Sequence, residues 1–289
     1  MSKRHPIIAV TGSSGAGTTL TGSTFEKLFA GENIKAAMVN GDSFHKYTRQ
    51  QMHRFMARGE YGERNHFSIS ANHIDKLEAL FHDYGATGTG QFRDYVHDED
   101  RHLIEAGFKP GTFTPWRSLQ PDTDVLFYEG LHGGVVNDRF NLSQYVDLLI
   151  GVVPIVNLEW IQKIYRDTHH RGYKEEAVVQ TIINRMDDYV RDIVPQFSHT
   201  HINFQRVPMV DTSNPFTARD VPTPDESMIV IHFRDRFAVE FPRLLQMIPN
   251  SFMSRHDTLV IPGTKLPLAM DLIIRPRLLE LMEHKRYTW

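Results

Sequence analysis

At 289 residues, 40% hydrophobic, 23% charged and with a formal net charge of −3, the chain is long enough for one large α/β core and has the composition of a globular protein. No apolar stretch approaches the roughly 20 residues of a bilayer span, no basic run argues for a nucleic-acid partner, and the apolar run after Lys3-Arg4 is too short for a secretory signal. The absence of cysteine removes disulfides, thiolate metal sites and thiol regulation, which suits a cytoplasmic protein.

The first predicted strand, Ile7–Val10, runs into GSSGAGTT at Gly12–Thr19 and then into a plausible helix, the strand–loop–helix setting of a phosphate-binding loop. In such a loop Gly12, Ser13, Ser14, Gly15, Ala16, Gly17, Thr18 and Thr19 would turn backbone N–H groups onto an anion, helped by the helix N-terminus. Thr19 would be the loop's own magnesium ligand. Thr18 stands where the motif normally has lysine, so either another residue supplies that charge or the loop binds no triphosphate.

The second strand, Ala36–Asn40, leads into GDSFH. Asp42 would emerge at the same sheet edge as the loop, where a carboxylate can take the proton of a substrate hydroxyl; a turn or helix-capping aspartate is the alternative. Ile74, Leu77, Leu80, Phe81 and Tyr84 recur at helical spacing, with Ser70 upstream as a cap region. Gly85–Gly90 and Gly107–Thr114 read as turns. His45, Arg49, Arg93, Tyr95 and His97 suit a phosphorylated ligand by residue type, although spacing alone gives them no common logic. The 16 histidines show no repeated metal-ligand spacing.

The strand Val125–Tyr128 ends in Glu129-Gly130, the layout of a second nucleotide-binding motif whose acid holds magnesium directly or through water. After a strand at Leu148–Val153, residues 159–173 are the most charge-structured segment. Lys163, Asp167 and Arg171 fall at successive i,i+4 helical positions, with Arg166 beside them. They read either as ion pairs of about 0.3–0.5 kcal/mol on a solvated helix or as a lid bringing cations to a transferring phosphoryl group. The lid would supply the charge missing at Thr18. A helical stripe from Val179 to Ile193, strands at Val207–Val210, Met228–Phe233 and Thr258–Ile261, and a helix over Leu268–His284 interrupted near Pro276 complete the chain. Strands alternating with helices predict a parallel sheet with ligands at its carboxyl edge.

Taken together, GSSGAGTT, GDSFH, RDYVHD, LFYEGLHG, NLEWIQKIYRDTHHRGY and INFQRVPMVDTSNPF resemble, in order along nearly the entire chain, the phosphoribulokinase family within the uridine kinase group of P-loop kinases. The threonine in place of the loop lysine is similar to bacterial members. The resemblance implies a three-layer α/β P-loop kinase fold, mainly parallel with added antiparallel strands and helices on both faces, forming one domain over residues 1–289 with a lid near 159–173. It implies MgATP-dependent phosphorylation of ribulose 5-phosphate to ribulose 1,5-bisphosphate for carbon dioxide fixation, by a homo-oligomer. Asp42 would be the general base, Lys163 and Arg166 would stabilise the phosphoryl group, and Asp167 would be a second catalytic or metal-associated carboxylate. Glu129 would be linked to magnesium. His45, Arg49, Arg93, Tyr95, His97, His132 and Arg171 would line the sugar-phosphate side. His53 departs from a frequent family lysine, and Gly31 and His232 from arginines that bacterial relatives associate with NADH activation, while Arg255 is kept; NADH activation is therefore not expected. The competing readings are a uridine or other small-molecule kinase of the same superfamily and a catalytically silent nucleotide-binding assembly partner.

Overall fold

The strand-like runs at both ends of the chain meet in one sheet. In the computed structural model, which describes residues 5–12, 18–60, 62–170, 172–217, 220–234 and 239–286, the elements follow in this order. The first half holds β1 (Ile7–Gly12), α1 (Thr18–Gly31), β2 (Ala36–Asn40), α2 (Arg49–Ala57), α3 (Ile74–Thr87), β3 (Gln91–Phe92), α4 (Arg101–Glu105), β4 (Arg117–Ser118) and β5 (Val125–Gly130). The second holds β6 (Leu148–Val153), α5 (Val156–His169), α6 (Glu175–Asn184), α7 (Met186–Asp188), β7 (Ile202–Pro208), β8 (Ser227–Phe233), α8 (Phe241–Met247), β9 (Phe252–Arg255), β10 (Thr258–Pro262) and α9 (Leu266–Arg286).

The sheet order is β2-β5-β1-β6-β7-β8-β10-β9, with β3 and β4 forming a separate two-stranded ribbon. From β2 to β7 neighbours run parallel, and β8, β10 and β9 add on antiparallel. All six residues of β1 are buried, as expected of a central strand covered on both faces. Ile8 and Val10 face Phe25, Leu28 and Phe29 of α1 together with Met270, Ile274 and Leu278 of α9. Ile7 and Ala9 face Ile74, Leu77, Leu80, Phe81 and Tyr84 of α3. This gives the three layers that the sequence predicts. No helix among the described residues is long and apolar enough to cross a membrane.

Five local expectations need correction. Ser70 does not cap α3: it sits in a short 3₁₀ turn, His73 occupies the cap position, and Gly88 ends the helix in the left-handed region at φ 72°. Residues 85–87, read as a turn, are the last residues of that helix. The strand expected at Val207–Val210 is β7, five residues earlier in its start, with Ile202 and Phe204 buried and Met209 and Val210 exposed beyond it. The stripe from Val179 to Ile193 is not one helix but α6, α7, a π turn at Tyr189–Ile193 and a 3₁₀ turn at Val194–Ser198. Buried polar groups re-aim the chain there. Asp192 accepts from Ile69 N at 3.0 Å, and Gln196 Nε2 donates to Leu131 O at 2.9 Å and Asp192 O at 2.8 Å while its Oε1 accepts from Thr11 Oγ1 at 3.1 Å and Gly134 N at 3.0 Å. Helix α9, by contrast, runs through Pro276.

Candidate active site

The parallel strands end level with one another, Val10 opposite Glu129 and Asn40 opposite Glu129 in register, so the loops after β1, β2 and β5 share one edge. Close approach at that edge demands glycine. A Cβ on Gly12 would lie 2.4 Å from Val152 O, and a Cβ on Gly41 would lie 2.7 Å from the Cα of Gly130. The tight crossing lets Gly41–Phe44 fold over the edge as a 3₁₀ turn whose cap is Asn40, its Oδ1 accepting from Asp42 N at 2.8 Å. Capping therefore falls to Asn40, which leaves the Asp42 carboxylate for other partners.

Those partners are imidazoles. Asp42 Oδ1 lies 3.0 Å from His45 Nε2 and Oδ2 lies 3.3 Å from His97 Nε2, with the Asp42 side chain 37% exposed. Burial pushes this carboxyl up, but His45, His97 and the nearby His66 together hold it well below the usual carboxylate range. The same bond raises His97, against the opposing effect of its own burial. His66 stacks on His45 with ring centroids 3.9 Å apart, and burial followed by the charge of His45 holds His66 well below the usual histidine value. His132 is buried behind them, its Nε2 3.0 Å from His66 O, and burial lowers it to about 4.

The arginines differ in their freedom. Arg93 donates from Nε to Ser43 O at 2.9 Å and from a terminal nitrogen to His45 O at 2.5 Å, and its guanidinium lies 3.7 Å from the Phe113 ring centroid and 4.8 Å from that of Trp116. It clamps the Asp42 turn from below. Arg49 pairs with Asp98 at 2.9 Å on the more open side, and Tyr95 packs edge-on to His97 at 4.9 Å.

Glu129, next to last in β5, sets its carboxylate against α1, where a Cβ at Gly22 would lie 2.3 Å from Oε2. A hard carboxylate pressed onto the second turn of the helix that follows the loop suits a magnesium ion shared with nucleotide phosphates. Among the described residues no group of three His, Asp or Glu side chains could hold a metal ion. Such an ion would thus need the loop and the phosphates as partners.

On α5, Lys163 Nζ pairs with Asp167 Oδ2, and Arg166 Nε donates to Asp167 Oδ1 at 3.0 Å. Burial, reinforced by the charge of Arg185, brings Lys163 down to about 8. Asp167, raised by its own burial, is lowered overall by Lys163 and Arg166. Lys163 also lines a small cavity with Phe67, Glu159, Trp160, Arg185 and Tyr189. Arg185 lowers His66 and is itself raised by Asp167, so its charge is felt on both sides.

Known proteins similar to the chain match it over nearly its whole length. The model of the phosphoribulokinase / uridine kinase family matches residues 7–213, from β1 past β7. The chain belongs to that family. It is 58% identical to the phosphoribulokinase of Xanthobacter flavus and 55% identical to that of Nitrobacter vulgaris, each alignment covering 99% of both chains. It also matches the solved structure of phosphoribulokinase from Rhodobacter spheroides with a TM-score of 0.89 at 49% identity, over 99% of this chain and 100% of that one.

Within this kinase fold, Ser13, Ser14, Gly15, Ala16, Gly17 and Arg171 lie outside the described residues, as do the side chains of Thr18 and Thr19. Helix α5 ends at His169, before Arg171. The structure brings Asp42, His45 and His97 together, with Tyr95 packed on His97, Arg93 beneath the turn and His132 behind it, and it brings Lys163, Arg166 and Asp167 together on α5. His53 meets Tyr173 Oη at 3.5 Å, position 31 faces open space, and His232 lies 3.5 Å from Asp257. Sequence reasoning missed His66, Asn72 and Arg185. Each reaches the site from an irregular segment or a helix end, where no periodicity marks it.

Proposed function

We propose that this kinase transfers the γ-phosphoryl group of ATP to the first-carbon hydroxyl of D-ribulose 5-phosphate, forming ribulose 1,5-bisphosphate for carbon dioxide fixation. The observation that carries the reading is the Asp42 carboxylate, half-open to solvent and held by two imidazoles at the edge where the phosphate-binding loop begins. Phosphoryl transfer through a loose transition state asks mainly for alignment and charge neutralisation, and its nucleophile loses the proton to a carboxylate that need only be ionised. Asp42, held low by its histidines, is ionised throughout the neutral range.

The loop from Gly12 to Thr19 receives the nucleotide phosphates through backbone N–H groups. Thr19 and Glu129 hold Mg²⁺, which supplies charge neutralisation on the phosphate oxygens when bound. Lys163 and Arg166, from α5, add the positive charge that Thr18 lacks, and Asp167 keeps the two cations oriented. Arg49, Tyr95 and His97 are assigned to the sugar-phosphate side, together with Arg171, while His45 and His132 back them from the interior and Arg93 braces the turn that presents Asp42. Residues 159–173 act as a lid of the one kinase domain.

A coupled ADP-release assay run in parallel with ribulose 5-phosphate and uridine tests the reading. ADP release with ribulose 5-phosphate, accompanied by ribulose 1,5-bisphosphate, is expected. A higher kcat/KM for uridine, or nucleotide binding without turnover of either acceptor, would overturn it.

A further inference from the structure

Asn72 is buried beside the site and has no part in the steps above. It follows the 3₁₀ turn Ile69–Ala71, and its backbone sits opposite His45 in an isolated antiparallel bridge. Flanking bonds pin that pairing, Lys46 N to Ala71 O at 2.9 Å and His73 N to Phe44 O at 2.7 Å. The side chain reaches three histidine residues. Its Nδ2 lies 2.7 Å from Ser68 O, 3.0 Å from His66 O and 3.0 Å from His132 Nε2, while its Oδ1 lies 2.6 Å from His45 Nδ1.

The orientation of a buried amide is fixed by its partners. Carbonyl oxygens only accept, so the atom facing Ser68 O and His66 O is the NH₂ end. The other end is then the acceptor, and His45 Nδ1 carries the hydrogen between them. Turning the amide over would set its oxygen against two carbonyl oxygens, replacing two hydrogen bonds with like-against-like contacts. With Nδ1 committed, His45 has Nε2 left to face Asp42 Oδ1 at 3.0 Å. An ionised carboxylate also only accepts, so Nε2 donates as well.

We propose that Asn72 is a positioning residue for phosphoryl transfer: by accepting from His45 Nδ1 it fixes that imidazole as a donor on both nitrogens, paired with the Asp42 carboxylate and unable to relieve Asp42 of a proton. The inference rests on the reading of Asp42 as the base. The proton balance follows directly. The sugar O–H bond breaks and an O–H bond forms on Asp42, the freed oxygen pair makes the new P–O bond, and ADP departs with the pair of the old one. The proton then leaves Asp42 through its solvent-exposed side. The groups facing Asp42 are His45 on its own turn, His97 on the segment after β3, His66 on the segment before Ile69, and the hydroxyls of Tyr95 and Tyr128.

Two variants and two readouts test the proposal in the intact protein. Asn72→Leu keeps the shape but cannot accept; Asn72→Asp keeps an acceptor toward His45 and, protonated, a donor toward Ser68 O. Nitrogen NMR of the His45 ring without ligands, assigned by its loss in His45→Asn, reads the hydrogens independently of turnover. Wild type and Asn72→Asp are expected to show both ring nitrogens protonated, and Asn72→Leu to show a bare one. The kcat of Asn72→Leu with ribulose 5-phosphate is expected to fall about 10- to 100-fold, the range for losing an orienting partner. Its acid limb moves to higher pH because Asp42 loses a cationic neighbour, and Asn72→Asp recovers much of both. A purely structural role would lower Tm without moving the limb. A wild-type His45 with a bare ring nitrogen, or an Asn72→Leu protein with unchanged kcat and limb, overturns the proposal. Should Asn72→Leu not fold, the spectra of wild type and Asn72→Asp decide. If the wild type does not phosphorylate ribulose 5-phosphate, the functional reading fails while the spectra still judge Asn72.

Discussion

The Asp42 turn and helix α5 each set a carboxylate between two cation-forming side chains, but they are assembled differently. On α5 the partners lie within one element: Lys163 reaches Asp167 across one helical turn and Arg166 is its neighbour in sequence. At Asp42 the partners come from the turn itself and from His97 beyond β3, and the turn's His45 is itself held by His66 and Asn72 between α2 and α3. The first arrangement is local and puts cations on a helix, where a movement of the helix carries them together. The second is non-local and locks a carboxylate against the sheet edge. The proposed phosphoryl transfer draws on both, Asp42 as a fixed base and the α5 cations on a lid.

The largest effect that would sharpen this contrast is at Asp42. Asp42→Asn keeps the shape of the turn and is expected to lower kcat about 10³-fold or more, with circular dichroism and Tm close to wild type; near-normal turnover would remove the base from the site. Lys163→Met is expected next, at about 10²- to 10³-fold in kcat, measured by ADP release at saturating ATP. Lys163 also sets a pH limit. Its value of about 8 means that the charged form is lost as pH rises through 8, so kcat should decline on that side, and Lys163→Arg, whose guanidinium stays charged, should extend activity to higher pH. An unaltered alkaline limb would detach Lys163 from the chemistry.

Smaller changes probe the histidine side. His97→Asn removes one of the two bonded imidazoles that hold Asp42 low, so the carboxylate takes up its proton at higher pH and the acid limb of kcat shifts upward, with a loss of about tenfold at neutral pH. A pH profile that does not move would show that His45 alone sets the charge of Asp42. The smallest effect is expected at the loop. Thr18→Lys should change kcat by about twofold or less if, as proposed, α5 supplies the charge; a protein active only with that lysine would break the division of labour between the two regions.

Much of this molecule is legible in the chain itself. The run Ile7–Val10 before GSSGAGTT, the strand leading into Glu129, the helical stripe Ile74–Tyr84 and the Lys163–Asp167 spacing of α5 are short-range patterns, and each lands where its periodicity puts it, whereas α5 ends at His169, short of the Arg171 that the same spacing includes. Legibility fails where long-range polar contacts outweigh local pattern. The stripe from Val179 to Ile193 looks like one helix, but Asp188, Asp192 and Gln196 are buried, and satisfying them with partners from β1, β5's following loop and residues 65–69 bends the chain into a π turn. Strand β7 is hard to place because Asn203 and Gln205 dilute its apolar residues, and its neighbours β6 and β8 fix its limits instead.

The sequence by itself thus determined the family and the strand ends from which Asp42 and Glu129 emerge, since strand and helix periodicity and a glycine-spaced run are encoded in neighbouring residues. Only the tertiary structure decided that Asn40 rather than Asp42 caps the turn, that Arg93 braces it, and that His45 and His66 gather at Asp42 with Asn72 behind His45. These depend on segments far apart in the chain being packed together, and on each buried donor and acceptor finding its partner there.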